Sequence, residues 1–398
     1  MLTSIAFRWV LQFLFQHLPQ STKDIFWDSV GFIQFGRKIG DSWAFRTYGS
    51  KNKVRRDSLI NTKESKYVTT QFDTNNQAEL EEVSILEEHQ NSVSCLCVWG
   101  ENLVSASYDH HIKIWNSQRT VIRSWEAHQG YITCLLIWND FLVSASCDKT
   151  IKVWNRNGEC LHRLEGHNHW IWWLVVWNNM LCSASLDDMI KIWDKTGREV
   201  QTLVGHTSSV YSLLAMDSDI NNGSKTNAES VLWSGSADRT IRVWNSSYRC
   251  IQVVKAKTPV RCLIKWKERI YAGCENGTVQ VYTPEGVLQE VVKQHTNYVW
   301  CFSIFRDQLI TGSCDRNICI FKSSFKTKKH NATVLALCVW KGHLWSGSAD
   351  KTIRRWKDKR HWKAIRLLWI AFYKEMDNEL CLLRTLPKEI LTEIILYL

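Results

Sequence analysis

The sequence predicts an all-β repeat fold over residues 80–356. The first observation is a motif that recurs along the chain. "SASYDHHIKIWN" (105–116) returns as "SASCDKTIKVWN" (144–155), "SASLDDMIKIWD" (183–194) and "SGSADRTIRVWN" (234–245). It then returns as "AGCENGTVQVYT" (272–283), "GSCDRNICIFK" (312–322) and "SGSADKTIRRWK" (346–357), seven copies in all. The step is about 39 residues, a period that marks repeat architectures. The long step between Asp187 and Asp238 holds the insert "SDINNGSKTNAES" (218–230). The second observation is a fixed offset. His89/Asp109, His128/Asp148, His167/Asp187, His295/Asp315 and His330/Asp350 all stand 20 positions apart, and His206/Asp238 match once the insert is removed. The third is texture: short, alternating, β-branched segments with turn residues between them read as strands.

These residues, with Gly-His at 166–167 and 205–206 and Asp followed by T-I-x-x-W, resemble the WD-repeat family of β-propellers. The resemblance implies seven four-stranded antiparallel blades around a central channel. It also implies a buried hydrogen-bonded set in each strong copy. The set would be His89, Asp109 and Trp115; His128, Asp148 and Trp154; His167, Asp187 and Trp193; His206, Asp238 and Trp244; His295 and Asp315; and His330, Asp350 and Trp356. A strand serine completes it, either Ser144 or Ser146 in the second copy. The fifth copy lacks the histidine and has Asn276 for the aspartate. His, Ser and Asp together suggest a hydrolase triad, but six copies fit a structural role, since an enzyme needs its triad once. Family propellers close with an N-terminal strand. "EVSILEEH" (82–89) resembles the outer strands before other histidines, so residues 82–88 are expected to pair with the blade ending at Trp356.

Counting from each histidine sorts the large side chains. Trp99, Trp138, Trp177, Trp266 and Trp340 share one register (+10), with Met216 and Phe305 as substitutes, and are expected in the core. Cys95, Cys134, Cys262 and Cys301 share another (+6), where Trp173 stands in the third copy; small buried hydrophobes are expected there. Registers +3, +5 and the residue before the aspartate correspond in the family to the channel mouth on the top face. They collect Tyr108, Tyr131, Trp170, Trp172, Tyr211, Arg261, Tyr298 and Trp300. Trp, Tyr and Arg are enriched at binding hot spots. A protein or peptide ligand is therefore expected there, against the alternative that the rings merely plug the channel. F-box propellers that read phosphodegrons place arginines at such positions, and Arg261 alone matches here.

The two ends do not repeat. Residues 1–79 form an extension with an aromatic-rich first part and a polar, partly disordered linker; "RRDS" (55–58) fits a basophilic kinase site at Ser58. Residues 357–398 predict helices: "KRHWKAIRLLWIAFYKE" (359–375) has apolar residues at helical spacing. In "CLLRTLPKEILTEIILYL" (381–398), Pro387 suits a helix start, and Leu386, Ile390, Leu391 and Ile394 are candidate docking residues. This tail resembles the opening of an F-box and the arrangement of a C-terminal SOCS box, which implies an elongin or Skp-type adaptor and a cullin as partners. A helical pair docking on the propeller or dimerising is the alternative.

Composition narrows the rest. No apolar run reaches the roughly 18 residues of a membrane span. The 14 cysteines without an export signal are expected as reduced thiols in cytoplasm or nucleus. No CxxC pair occurs, so no metal or other cofactor is expected. The net charge of +11 is dispersed. The expected function is a non-enzymatic interaction propeller that serves as a ubiquitin-ligase substrate receptor. One alternative is a scaffold without a ubiquitin link. Another is nucleic-acid binding through Lys351, Arg354, Arg355, Lys359, Arg360, Lys363 and Arg366.

Overall fold

Two-residue reversals drive the architecture. A type I′ turn needs positive φ at both central residues and matches the twist of the strands it joins. Asn139 and Asp140 (49° and 67°), Asn178 and Asn179 (49° and 61°), and Lys341 and Gly342 (47° and 70°) all adopt it. Each follows a register +10 aromatic and folds the innermost strand of a sheet onto the next. The computed structural model describes residues 36–39, 42–45, 80–216, 230–323, 326–327 and 330–358. Among these it contains seven four-stranded antiparallel sheets, the blades of a propeller.

Blade 1 consists of Val93–Trp99, Asn102–Ser107, His111–Trp115 and Val121–Glu126, from the channel outward. The inner strands of blades 2 to 6 are Ile132–Trp138, Ile171–Trp177, Val210–Met216, Val260–Trp266 and Val299–Phe305. Blade 7 combines Val334–Trp340, His343–Ser348 and Ile353–Asp358 with Leu80–Leu86 from before blade 1. The closing strand pairs Leu80 with Asp358, Glu82 with Trp356 and Leu86 with Ile353. It thus begins two residues earlier than its sequence pattern indicates and stops before Glu87 and Glu88. Arg354 Nη1 to Glu82 Oε2, at 2.6 Å, adds a largely buried ion pair to this seam.

The ring closes on its other side by burial. Val93, Leu96, Leu103 and Trp115 of blade 1 share one apolar cluster with Ala336, Trp340, Trp345 and Ile353 of blade 7. Trp340 Nε1 donates to Glu101 O at 3.0 Å, just as Trp99 Nε1 donates to Asp140 O between blades 1 and 2. Closure removes the exposed edges that an open array would present.

The register +10 tryptophans are buried, with one correction. Trp177 is 0% exposed, but Trp266 is only half-buried. Its ring tilts onto Tyr271 at 5.5 Å, and the Lys267 ammonium covers it at 4.7 Å. Trp173 is half-buried and packs on the cluster around Trp177. Within the aromatic-rich part of the N-terminal extension, Gly36–Ile39 and Ser42–Phe45 form an antiparallel hairpin. The rest of residues 1–79, with Ser58, lies outside the described residues. So does 359–398, with the expected helices and Leu386, Pro387, Ile390, Leu391 and Ile394. The described residues contain no helix, so the predicted helical tail finds no support. No described helix is long and apolar enough to cross a membrane.

Candidate protein-binding face

Six blades carry a four-membered chain of hydrogen bonds, or its variant. In blade 2, Trp154 Nε1 donates to Ser144 Oγ at 2.8 Å, which leaves the serine proton for His128 Nε2 at 2.7 Å. The histidine proton therefore sits on Nδ1 and faces Asp148 Oδ2 at 2.8 Å. So Ser144, and not Ser146, completes the set; Ser146 Oγ instead accepts from the Asp148 N–H at 3.0 Å. The equivalent Nδ1–carboxylate distances are 2.8 Å for His89–Asp109, 2.7 Å for His167–Asp187 and 2.7 Å for His206–Asp238. They are 3.0 Å for His295–Asp315 and 2.8 Å for His330–Asp350. Trp115, Trp193, Trp244 and Trp356 donate to Ser105, Ser183, Ser234 and Ser346. Blade 6 uses Thr311 and has Phe321 at the network tryptophan's position. These hydroxyls are 0% exposed and fully engaged, so none can attack a substrate.

Burial pushes these carboxyls up, but the histidine hydrogen bond and charge outweigh it. Asp109, Asp148, Asp187, Asp238, Asp315 and Asp350 all end below the usual carboxylate range. Burial lowers His128 and His330 despite their aspartates. In blade 5 the whole set changes together: Ala256, Ala272, Asn276 and Tyr282 replace His, Ser, Asp and Trp. Replacing all partners at once leaves no buried donor stranded. Tyr282 Oη finds Gln280 Oε1 at 2.5 Å instead.

This frame positions the channel mouth. Every inner strand carries a β-bulge at register +5: at Ser94, Thr133, Trp172, Tyr211, Arg261, Trp300 and Leu335. A bulge leaves one residue unpaired and re-aims its side chain. The other two registers are tied to each other. The carbonyl at +3 accepts the N–H of the residue before the aspartate in every blade, as in Leu186 N to Trp170 O at 2.8 Å and Glu275 N to Pro259 O at 3.1 Å.

The side chains converge in two groups. Trp172 meets Trp170, Tyr211 and Trp300 edge-on at 6.1, 6.1 and 6.3 Å between centroids. Tyr108 and Tyr131 stack at 4.6 Å. Tyr131 and Trp170 are the exposed members, 42% and 38%, while Tyr108, Trp172, Tyr211, Arg261, Tyr298 and Trp300 are half-buried. Burial pushes the Tyr108 phenol up to about 12. Beneath lies a cavity of about 290 Å³, lined by Trp172, Tyr211, Arg261 and Trp300 and deeper by Cys95, Cys134 and Cys301.

One residue of the site escapes the register pattern's functional reading. Arg261 Nε and Nη2 both reach Glu275 Oε1 at 2.7 Å, with both side chains mostly buried. The guanidinium also lies over Tyr211, Trp300 and Tyr298, at 3.8, 5.0 and 5.3 Å from their centroids. Glu275 directly precedes Asn276, which stands at the aspartate position of the same blade, and that proximity was the available signal. Its carboxylate neutralises the one arginine that suggested phosphate recognition. In blade 7, Arg354 is held by Glu82, so it is not a free cation for nucleic acid. Lys351 is exposed and Arg355 half-buried; the remaining basic candidates lie beyond residue 358. The described residues contain no cluster of three or more His, Cys, Asp or Glu suited to a metal.

Comparison with known proteins agrees with this geometry. The family described as "WD domain, G-beta repeat" matches residues 80–116, 119–155, 158–194, 197–245 and 286–322. The chain is 34% identical over 135 residues to the zinc finger CCCH domain-containing protein 17 of Oryza sativa subsp. japonica. That match covers 31% of each sequence, so the chain spans under a third of this relative's length. The structure of the WD40 β-propeller domain of Doa1 superposes with a TM-score of 0.61 at 18% identity. The superposition covers 70% of this chain and 97% of that one.

Proposed function

This chain carries WD40 repeats folded as a seven-bladed propeller, and from that premise we propose a protein-interaction role in which the channel mouth holds an uncharged aromatic or apolar peptide side chain. WD40 propellers are in general non-catalytic interaction modules. The observation that carries the reading is the aromatic cluster around Arg261, self-neutralised by Glu275 and edged by the exposed Tyr131 and Trp170. Apolar surface left open around a cavity is a common mark of an interaction site. A guanidinium already satisfied by a carboxylate and three rings has little left to offer a phosphate.

The tail "LPKEILTEIILYL" (386–398) supports a second step in this reading: recruitment of an elongin or Skp-type adaptor and a cullin. The chain would then act as a substrate receptor. Affinity purification of the full chain, of Trp170→Ala/Tyr131→Ala and of Leu386→Ala/Leu391→Ala tests both steps. The first double variant should lose the ligand and keep the adaptor; the second should do the reverse. Loss of nothing from either variant rejects the corresponding step, and a scaffold without a ubiquitin link remains if only the second fails.

A further inference from the structure

The cysteines at register +6 are chemically unequal. Cys95, Cys134, Cys262 and Cys301 occupy equivalent places on the inner strands of blades 1, 2, 5 and 6. Blades 1 and 2 are neighbours, and so are blades 5 and 6, so the register yields two facing pairs. In the second pair each thiol donates forward to the next blade's backbone. Cys262 Sγ points to Val299 O at 3.4 Å and Cys301 Sγ to Val334 O at 3.9 Å. Burial pushes both thiols up, which makes them inert.

The first pair is wired differently. The Leu135 N–H donates to Cys95 Sγ at 3.2 Å. Both sulfurs sit by the same carbonyl, Leu135 O, at 3.9 and 3.8 Å. A sulfur that receives a backbone N–H is better suited to carry negative charge than one that only donates. The neighbouring Cys134 thiol lowers the Cys95 thiol against the upward push of burial, while Cys95 and burial hold Cys134 well above its ordinary range. Cys95 is half-buried and Cys134 buried, and both line the cavity beneath the aromatic mouth.

We propose that Cys95 and Cys134 form an oxidant-responsive dithiol for hydroperoxides, with Cys95 the attacking sulfur and Cys134 the resolving one. The Cys95 thiolate attacks the terminal peroxide oxygen; the S–O bond forms, the O–O bond breaks, and alkoxide, or hydroxide from hydrogen peroxide, leaves and takes up a proton. Cys134 sulfur then attacks the Cys95 sulfenic sulfur. The S–S bond forms and the S–O bond breaks, and the departing hydroxide takes the Cys134 proton as water. Two thiols are oxidised by two electrons in total, and one hydroperoxide is reduced to water and the corresponding alcohol or, for hydrogen peroxide, to two waters. The disulfide would join the inner strands of blades 1 and 2 below Tyr108 and Tyr131. This inference is independent of whether the mouth binds a peptide.

The full chain is treated with hydrogen peroxide, and its cysteines are mapped by differential alkylation and peptide mass spectrometry without reduction. A Cys95–Cys134 linked peptide should appear with at least tenfold protection of both residues, while Cys262 and Cys301 stay reduced as the internal control. Cys134→Ala should yield a dimedone-trappable sulfenic acid on Cys95, and Cys95→Ala should leave Cys134 unmodified. Alanine already occupies this register at Ala336, so both variants fit the fold. Absence of the linked peptide, or equal oxidation of the Cys262–Cys301 pair, overturns the proposal.

Discussion

The guanidinium carbon of Arg261 lies 3.8 Å from the ring centroid of Tyr211, and its Nε hydrogen-bonds Glu275 at 2.7 Å. Three blades thus meet at the mouth through one cation. Tyr211 belongs to the inner strand of blade 4, Arg261 and Glu275 to blade 5, and Trp300 completes the cover from blade 6. A cation over aromatic faces gains roughly 0.5–2 kcal/mol depending on desolvation. Removing only one member of a buried charge pair leaves the other uncompensated.

Glu275→Ala should therefore convert the mouth from charge-neutral to cationic. Binding of a phosphorylated form of the ligand peptide should strengthen relative to the unphosphorylated form, on the order of tenfold or about 1.4 kcal/mol. The wild-type protein should show no such preference. Isothermal titration with the peptide pair reads both; a wild-type preference for phosphate would sink the neutral-mouth reading.

Trp177 and Trp172 should respond oppositely to alanine. Trp177 is 0% exposed and donates to Ser230 Oγ at 2.8 Å, so its loss should cost about 3–5 kcal/mol of stability. Trp172 is half-buried at the mouth, and its loss should cost about 1 kcal/mol of stability but about 2 kcal/mol or more of ligand binding. Thermal melts with a binding titration separate the two, and equal destabilisation without a binding loss would make all these rings core.

Glu82→Ala should loosen the ring at its seam. The variant leaves Arg354, with only 10% of its side chain exposed, without its 2.6 Å partner. Breaking a buried pair costs about 3–5 kcal/mol when burial is complete; the partial exposure of Glu82 reduces the expectation to about 2. Hydrogen exchange should rise first in Leu80–Leu86 and Ile353–Asp358, the strands it joins. Uniform exchange across all blades would contradict a seam opened locally.

Stability should fall with acid in two stages. His128 and His330 have lowered values in the folded state, so the unfolded chain binds their protons first. Their contribution is complete above the unfolded value of about 6.5 and is lost as pH falls through the folded values. The six depressed aspartates add a steeper loss below about 4, where the unfolded carboxyls protonate. Denaturant midpoints from pH 8 to 3 check the sign; a midpoint that rises between pH 6.5 and 5 would refute it.

Much of this fold is legible in the chain because each blade builds the same short-range network. A His, Ser, Asp and Trp can complete their hydrogen bonds only at fixed offsets, so the offsets appear six times and announce the architecture. Ring closure by the segment before His89 follows from the same logic, since the last copy lacks an outer strand. Register also placed Tyr131, Trp170, Trp172, Tyr211, Arg261 and Trp300 at one mouth. What needed the tertiary structure was every relation between blades. The bulge at +5 turns one residue per strand toward the channel, and the channel width decides which of those side chains touch. Glu275 was visible as a residue of the mouth but not as the group that cancels Arg261. Trp266 shares the register of Trp177, yet Tyr271 and Lys267 hold it half-buried at its own seam. Cys95 and Cys262 are equivalent by counting, but only Cys95 receives the Leu135 N–H. Offsets along a chain encode bonds within a blade, whereas the neighbours across a seam differ from one blade pair to the next.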